Sequence, residues 1–296
     1  MAEHTATSVE TSKLRRSKHF RLWAIFATLL VILGTVGSTL GAMAVARSAD
    51  QKTHKALVTT AADIAATVKL AIQHEQDLVL STESYLIGNS SPTQSQFTNW
   101  IHSVRVLERY PELQALGVIE YVPASQLAAY ERRAAKNQST PFQLVPVGPR
   151  AFYCLAQLGY SRPGAATLPR NYDVCATPLG ALIIAARRSG QSKVLPYNYL
   201  GKATMALETP SYRGGRIPSS VAAREQSFLR IVALNLLPDV ILRQALVSHP
   251  NTAVALRYGT SASTMAFRSG TAPANAQTAT VDLHDGWIIA TQGVGT

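Results

Sequence analysis

The chain has 296 residues, 47% of them hydrophobic and only 15% charged, a balance that excludes an intrinsically disordered protein. Its net charge of +11 invites a nucleic-acid partner, but outside an N-terminal tail the basic residues are dispersed, and no nucleic acid is expected. Two cysteines and seven scattered histidines exclude a zinc cluster, so neither metal nor cofactor is expected.

The tail, residues 1–21, carries Lys13, Arg15, Arg16, Lys18 and Arg21. Leu22 to Ala46 then runs twenty-five residues without one charge. A helix rises about 1.5 Å per residue, so about twenty residues cross a hydrocarbon core of roughly 30 Å. Eleven of the twenty-five are Leu, Ile, Val or Phe, and no Lys, Arg or Asp opposes their insertion. The stretch reads as a transmembrane helix. The heavier basic flank stays in the cytoplasm and touches anionic membrane lipid, which places residues 47–296 outside. Ala44-Val45-Ala46 has the small-x-small form of a signal-peptidase site, but the apolar run exceeds the roughly 7–15 residues of a signal core, so an uncleaved anchor is expected. Gly37 and Gly41 form a GxxxG pair, which lets two membrane helices approach closely and points to a homodimer.

From Arg47 to just before Gly88 there is neither proline nor glycine. Leu57, Ala61, Ile64, Val68 and Ala71 recur at helical spacing, with Ile72 and Leu78 extending the stripe. This predicts a helical stalk continuing from the membrane, its stripe either a dimer seam or, as its short repeat and alanines favour, the face packed on the domain it carries. Gly88-Asn89-Ser90-Ser91-Pro92 ends it. Thr93 to Glu108 reads as a second helix, capped by Thr93.

The period then changes to two. Strands are predicted over Leu116–Val122, Phe142–Val147, Ala151–Tyr160, Ala203–Tyr212 and Ser227–Leu236. Helices are predicted over Ser125–Ala135, Pro178–Arg188 and Pro238–Val247. Four short strands close the chain near Ala253–Tyr258, Ser263–Phe267, Thr278–Leu283 and Trp287–Thr291. The pattern describes an α+β fold: a central antiparallel sheet with helices on one side, strung on a long N-terminal helix.

No catalytic signature emerges, and the chain reads as a non-enzyme. It has no GxSxG, no HExxH and no complete phosphate loop. Glu208 interrupts an apolar strand, either as a buried acid aimed at a ligand or on a wet strand face. Alternation puts Met205, Leu207 and Thr209 on one side, and Ala206 and Glu208 on the other. Asp173 is either a helix cap or a ligand contact. Cys154 and Cys175 either form a disulfide, closing about twenty residues for roughly 3 kcal/mol, or remain buried thiols.

The order of these segments resembles the CHASE family of extracytoplasmic ligand-sensing domains. Arg109-Tyr110-Pro111-Glu112-Leu113-Gln114-Ala115-Leu116-Gly117 is similar to the family's YPG[IL]Q-x-[LI]G run, with Glu112 in place of glycine. Tyr121-Val122-Pro123, Tyr172-Asp173, Ala185-Ala186-Arg187 with Gly190, and Thr209-Pro210-Ser211-Tyr212-Arg213-Gly214 continue the likeness in order. The resemblance implies a stalk helix bearing two PAS-like subdomains, with a small-molecule ligand in the membrane-distal one. It divides the chain into a cytoplasmic tail (1–21), a transmembrane helix (22–46), a stalk (47–108), a PAS-like sensing core (109–250) and membrane-proximal closing strands (251–296). In the cytokinin-binding members a carboxylate follows a Phe-Ala-Gln step. Here the step is Leu155-Ala156-Gln157, and Leu158 stands where the acid would be. A purine edge loses its charged partner there. The resemblance places the pocket along the third and fourth strands, at Phe152, Cys154, Ala156, Leu158, Leu207 and Thr209, and makes it mostly apolar. Family members continue into a second membrane helix and a cytoplasmic output module, whereas this sequence stops at Gly293-Val294-Gly295-Thr296. The sequence is therefore read either as a fragment of such a receptor or as a binding or adaptor protein that acts through a partner.

Overall fold

The computed structural model describes residues 8–137, 142–165, 168–199, 201–259 and 265–295. Helix α1 spans Ser8–Gly88. By internal contacts the chain forms one unit reaching to Ala56 and a second over Leu57–Val294.

In the first unit α1 is long and apolar enough to cross a membrane. Ile25, Phe26, Leu29, Leu33 and Leu40 all lie exposed on it. Its threonine hydroxyls bond back to the helix: Thr28 donates to the Ala24 carbonyl at 2.8 Å, Thr35 to that of Ile32 at 2.9 Å and Thr39 to that of Thr35 at 3.0 Å. An apolar solvent can accept such a surface, because a helix satisfies its backbone groups within itself and these threonines bond back to it.

In the second unit the same helix becomes one-sided. Leu57, Ala61, Ile64, Val68 and Leu78 are buried, as their spacing predicts. Each of these buried Leu, Ile and Val side chains contributes about 1.5–3 kcal/mol. Thr93 caps α2 (Gln94–Ser103) with a capping box: its hydroxyl accepts the Gln96 N–H, and the Gln96 side chain takes the Thr93 N–H. The predicted single helix over 93–108 is broken. Arg105 adopts a left-handed conformation with φ 55°, and a short α3 (Val106–Arg109) follows.

Five antiparallel strands form the main sheet: β1 (Leu113–Pro123), β2 (Phe152–Ser161), β3 (Lys193–Tyr199), β4 (Lys202–Tyr212) and β5 (Phe228–Leu236), in the order β2-β1-β5-β4-β3. The first face packs on α1 and α2 through Leu116, Val118, Leu158, Leu207, Val232 and Leu234. The second packs on α5 (Leu179–Ser189) through Ile119, Cys154, Ile183, Ala186 and Ile231. Helices therefore cover both faces, where the sequence predicted one. Helix α4 (Leu127–Asn137) packs Tyr130 against Tyr153 and Leu155. The start of α5 lies so close to the preceding turn that a Cβ on Gly180 would stand 2.5 Å from the Cys175 carbonyl oxygen.

After α6 (Val221–Ser227), β5 and α7 (Pro238–Ala245), the chain builds a second antiparallel sheet. It comprises β6 (Ala253–Tyr258), β7 (Met265–Gly270), β8 (Gln277–His284) and β9 (Trp287–Gly293), in the order β7-β6-β9-β8. The Trp287 indole N–H donates to the Val194 carbonyl at 2.9 Å and ties the second sheet to β3.

Three local features depart from the periodicity. The predicted strand Phe142–Val147 reduces to one bridge between Val145 and Tyr172, because Pro146 has no N–H for a ladder. Strand β3 escaped prediction because Pro196 interrupts it, and it is tolerated there because β3 is a sheet edge. Helix α6 is capped by Ser220, whose hydroxyl accepts the Ala223 N–H at 3.2 Å.

Candidate functional site

The helix α5 face of the main sheet is only half covered. At its other half, β1, β2 and β5 contribute Ala115, Gly117, Ala156, Gly159 and Ala233, which put little or no side chain above the sheet. A cavity of about 250 Å³ results. Leu168 and Arg170 border it, and Asn235 adds an amide at its base.

A β-bulge shapes its edge. The pairing of β1 with β2 shifts between Val118 and Ile119, so Val118 faces Leu158 and Ile119 faces Ala156. Gln157 is the extra residue, and beyond it the side-chain alternation is inverted. Ala156 therefore remains on the α5 face, while Leu158 turns into the core against α1 and α2. The outer edge of β2 is closed by the chain that follows it. Ala156 N–H donates to the Tyr172 carbonyl at 2.9 Å, and Asn171 N–H to the Ala156 carbonyl at 2.9 Å. Gln94, at the start of α2, donates to the Gly159 carbonyl at 2.7 Å.

The six residues singled out from sequence divide between the two faces. Phe152, Cys154 and Ala156 lie on the α5 side, whereas Leu158, Leu207 and Thr209 lie on the stalk side. Ala156 and Leu158 line the cavity. Phe152 packs on Tyr121 with ring centroids 5.3 Å apart, Leu207 is fully buried, and the Thr209 hydroxyl lies 2.9 Å from that of Ser192. Cys154 is bonded to Cys175, which decides between the two readings of these cysteines. Arg170, Asn235 and the small residues of β1 and β5 were not singled out. Their signal, Ala or Gly at alternate positions 115 and 117, is visible in the sequence but ordinary.

Two acids command the surroundings. Asp173 is fully buried; its Oδ1 accepts the N–H of Cys154 at 2.8 Å and of Cys175 at 3.1 Å, and its Oδ2 lies 3.2 Å from Arg150. It is thus the cap of a turn, locked to β2 and the disulfide. Glu208 sits on the α5 face opposite Ala233, and one of its oxygens is buried without a partner. Burial pushes its carboxyl up to about 8, so it stays largely protonated at neutral pH. The wet-face reading of Glu208 gives way to a buried acid one strand from the cavity floor. Among the described residues, the one cluster with metal-ligand types, Cys154, Asp173 and Cys175, has both sulfurs committed to the disulfide.

These elements define a class: a helix-borne α+β domain with antiparallel sheets, a long apolar N-terminal helix and a cavity on one sheet face. The chain belongs to the CHASE domain family, whose model matches residues 90–268. That match spans the end of the stalk turn, the whole main sheet and the first strands of the second. CHASE domains are extracellular sensory domains of signalling receptors and are not catalytic. No curated protein matches the chain.

Proposed function

We propose that this chain is a membrane-anchored extracytoplasmic receptor domain whose PAS-like five-stranded core binds a small molecule in the sheet-face cavity. The observation that carries this reading is the cavity itself, a space floored by Ala and Gly where every neighbouring position of the sheet is filled. Its lining favours a compact, mostly apolar ligand with one polar end near Arg170 and Gln157. The five-stranded order with β1 flanked by β2 and β5 supports the PAS-like reading. The apolar span of α1, the basic flank before it and a Cys154–Cys175 disulfide support an anchor with residues 47–296 outside the cytoplasm. Ligand occupancy is read out as a small shift of α1 between two states of a homodimer, passed to an output module.

The test is a thermal-shift screen of the full chain in detergent micelles against purines, amino acids, short carboxylates and small aromatics. At a hundredfold excess over its dissociation constant, a ligand selective for the folded state adds about 2.7 kcal/mol. Ala233→Leu, which fills the cavity floor, is expected to abolish the shift while the protein stays folded. If no class stabilises the protein, the small-molecule reading fails and a protein-binding adaptor takes its place.

The dimer is tested separately. Gly37 and Gly41 have nothing within 4 Å of where a Cβ would stand, so the β-carbons of Gly37→Ile and Gly41→Ile meet no neighbouring element of the same chain. The double variant is expected to lose crosslinking between cysteine-labelled membrane helices. Unchanged crosslinking would remove GxxxG packing from the mechanism.

A further inference from the structure

A second, larger cavity lies where β1 ends and β5 begins, away from the sheet-face cavity floor. It measures about 440 Å³, within the usual range of small-molecule sites. Its charged lining is Arg133, Arg187, Arg213 and Arg230 against Glu120 and Glu225, an excess of two positive charges.

Both acids are already engaged. Glu120 accepts from Arg133 at 2.8 Å, and Glu225 pairs at 3.1 Å with Arg188, which does not line the cavity. Arg187 is held rigidly. It donates to the Tyr121 hydroxyl at 3.1 Å and to the Glu225 carbonyl at 2.6 Å, and its guanidinium stands 4.5 Å from the Tyr121 ring centroid. Its Nε is buried without a partner. Arg230 sits on β5 between Glu120 of β1 and Ser211 of β4. Neither Arg213 nor Arg230 makes a side-chain hydrogen bond or ion pair among the described residues. Arg133 is paired with Glu120 and Arg187 is committed to Tyr121 and Glu225, which leaves Arg213 and Arg230 as the open cations of the recess. The arrangement is stabilised when an anion takes the open forks, since carboxylate and phosphate match guanidinium geometry with two parallel hydrogen bonds.

We infer that this arginine-lined cavity is a second ligand site, specific for a small organic polyanion bearing carboxylate or phosphate groups. It meets the sheet-face cavity only at Gln157, draws its charged lining from other residues, and does not depend on that reading. It is also placed to speak to the stalk. Ser90 and Ser91, in the turn that ends α1, line it, and Ser211, beside Arg230, donates to Glu83 of α1 at 2.6 Å. An anion drawing on Arg230 competes with Glu83 for the same charge.

The experiment is isothermal titration of the full chain in detergent micelles with citrate and, separately, inorganic phosphate, with glycerol as the neutral control. Saturable binding of at least one anion, weakening with salt, is expected. Arg213→Gln, at an exposed position, should weaken it roughly tenfold or more, the value of one charge-assisted hydrogen bond. Arg109→Gln, outside the cavity, should leave it unchanged, which separates the site from diffuse attraction to a basic protein. Ala233→Leu should also leave it unchanged. Absence of saturable binding to both anions, equal losses in the Arg213 and Arg109 variants, or loss on Ala233→Leu would each overturn the inference. The last outcome would move the anion to the sheet-face cavity.

Discussion

Replacing both Cys154 and Cys175 by Ser is expected to lower the unfolding free energy by about 3 kcal/mol, the chain-entropy value for a loop of about twenty residues. The bridge spans a sequence separation of 21 and joins β2 to the turn that starts α5. The loop it closes contains the segment that covers the outer edge of β2. With the bridge gone, that turn is held by the Asp173 carboxylate bonds to the backbone at 154 and 175, the backbone bonds between Ala156 and residues 171 and 172, and the packing of α5. Denaturant unfolding of the full chain in micelles measures the loss, with reduced wild-type protein as an independent route to the same state. A loss below about 1 kcal/mol would mean that Asp173 and the packing of α5 suffice, and that the disulfide adds little. The sheet-face cavity should loosen in parallel, because Leu168 and Arg170 lie inside the same loop.

Glu75→Gln is expected to stabilise the protein, and increasingly so as the pH rises. Glu75 lies on the buried stripe of α1, fully shielded, and neither carboxyl oxygen has a donor among the described residues. Its neighbour is the buried carboxyl of Glu112, at the position where the family run has glycine. Burial first, and Glu112 second, push Glu75 up to about 10. The sign follows. An unfolded Glu titrates near its ordinary value of about 4.3, so above that pH folding takes up a proton that the unfolded chain has released. The group therefore costs nothing below the unfolded value and destabilises progressively as pH rises toward the folded one. The slope approaches about 1.4 kcal/mol per pH unit where the difference is a full proton. Gln keeps the shape, carries no charge and can donate to Glu112. Melting curves of both proteins from about pH 6 to about pH 9 should diverge, the wild type falling and the variant flatter. Parallel curves would mean that Glu75 is ionised in the folded state and has a partner. Glu208, pushed up to about 8, adds a smaller dependence of the same sign, so the variant should not become entirely flat.

Much of this architecture was legible in the chain because it rests on local rules. The apolar helical run from Leu22 to Ala46 needs only its own composition to be read. The buried stripe from Leu57 to Leu78 needs only a period. The start of α2 at Thr93 needs only a hydroxyl three residues before Gln96. The family order, from Tyr110-Pro111 to Tyr212-Arg213-Gly214, could be followed because those turns and strand ends are set by their own residues.

The binding surfaces depended on contacts between distant segments. Alternation along 152–158 put Phe152, Cys154, Ala156 and Leu158 on one face, and it failed at Gln157 because a bulge is a property of two paired strands. That single extra residue sends Leu158 into the stalk-side core. The cavity floor is made of small residues from three strands that meet only when β1 pairs with both β2 and β5. The arginine cavity assembles residues from α4, α5, β5 and the turn after β4, and no spacing in the chain links them. The sequence by itself determined a long apolar N-terminal helix, a one-sided helical stripe after it and an α+β fold, since each follows from hydrophobic period and turn chemistry. Tertiary structure alone decided which cysteines, acids and arginines meet, because strand register and helix packing set those distances.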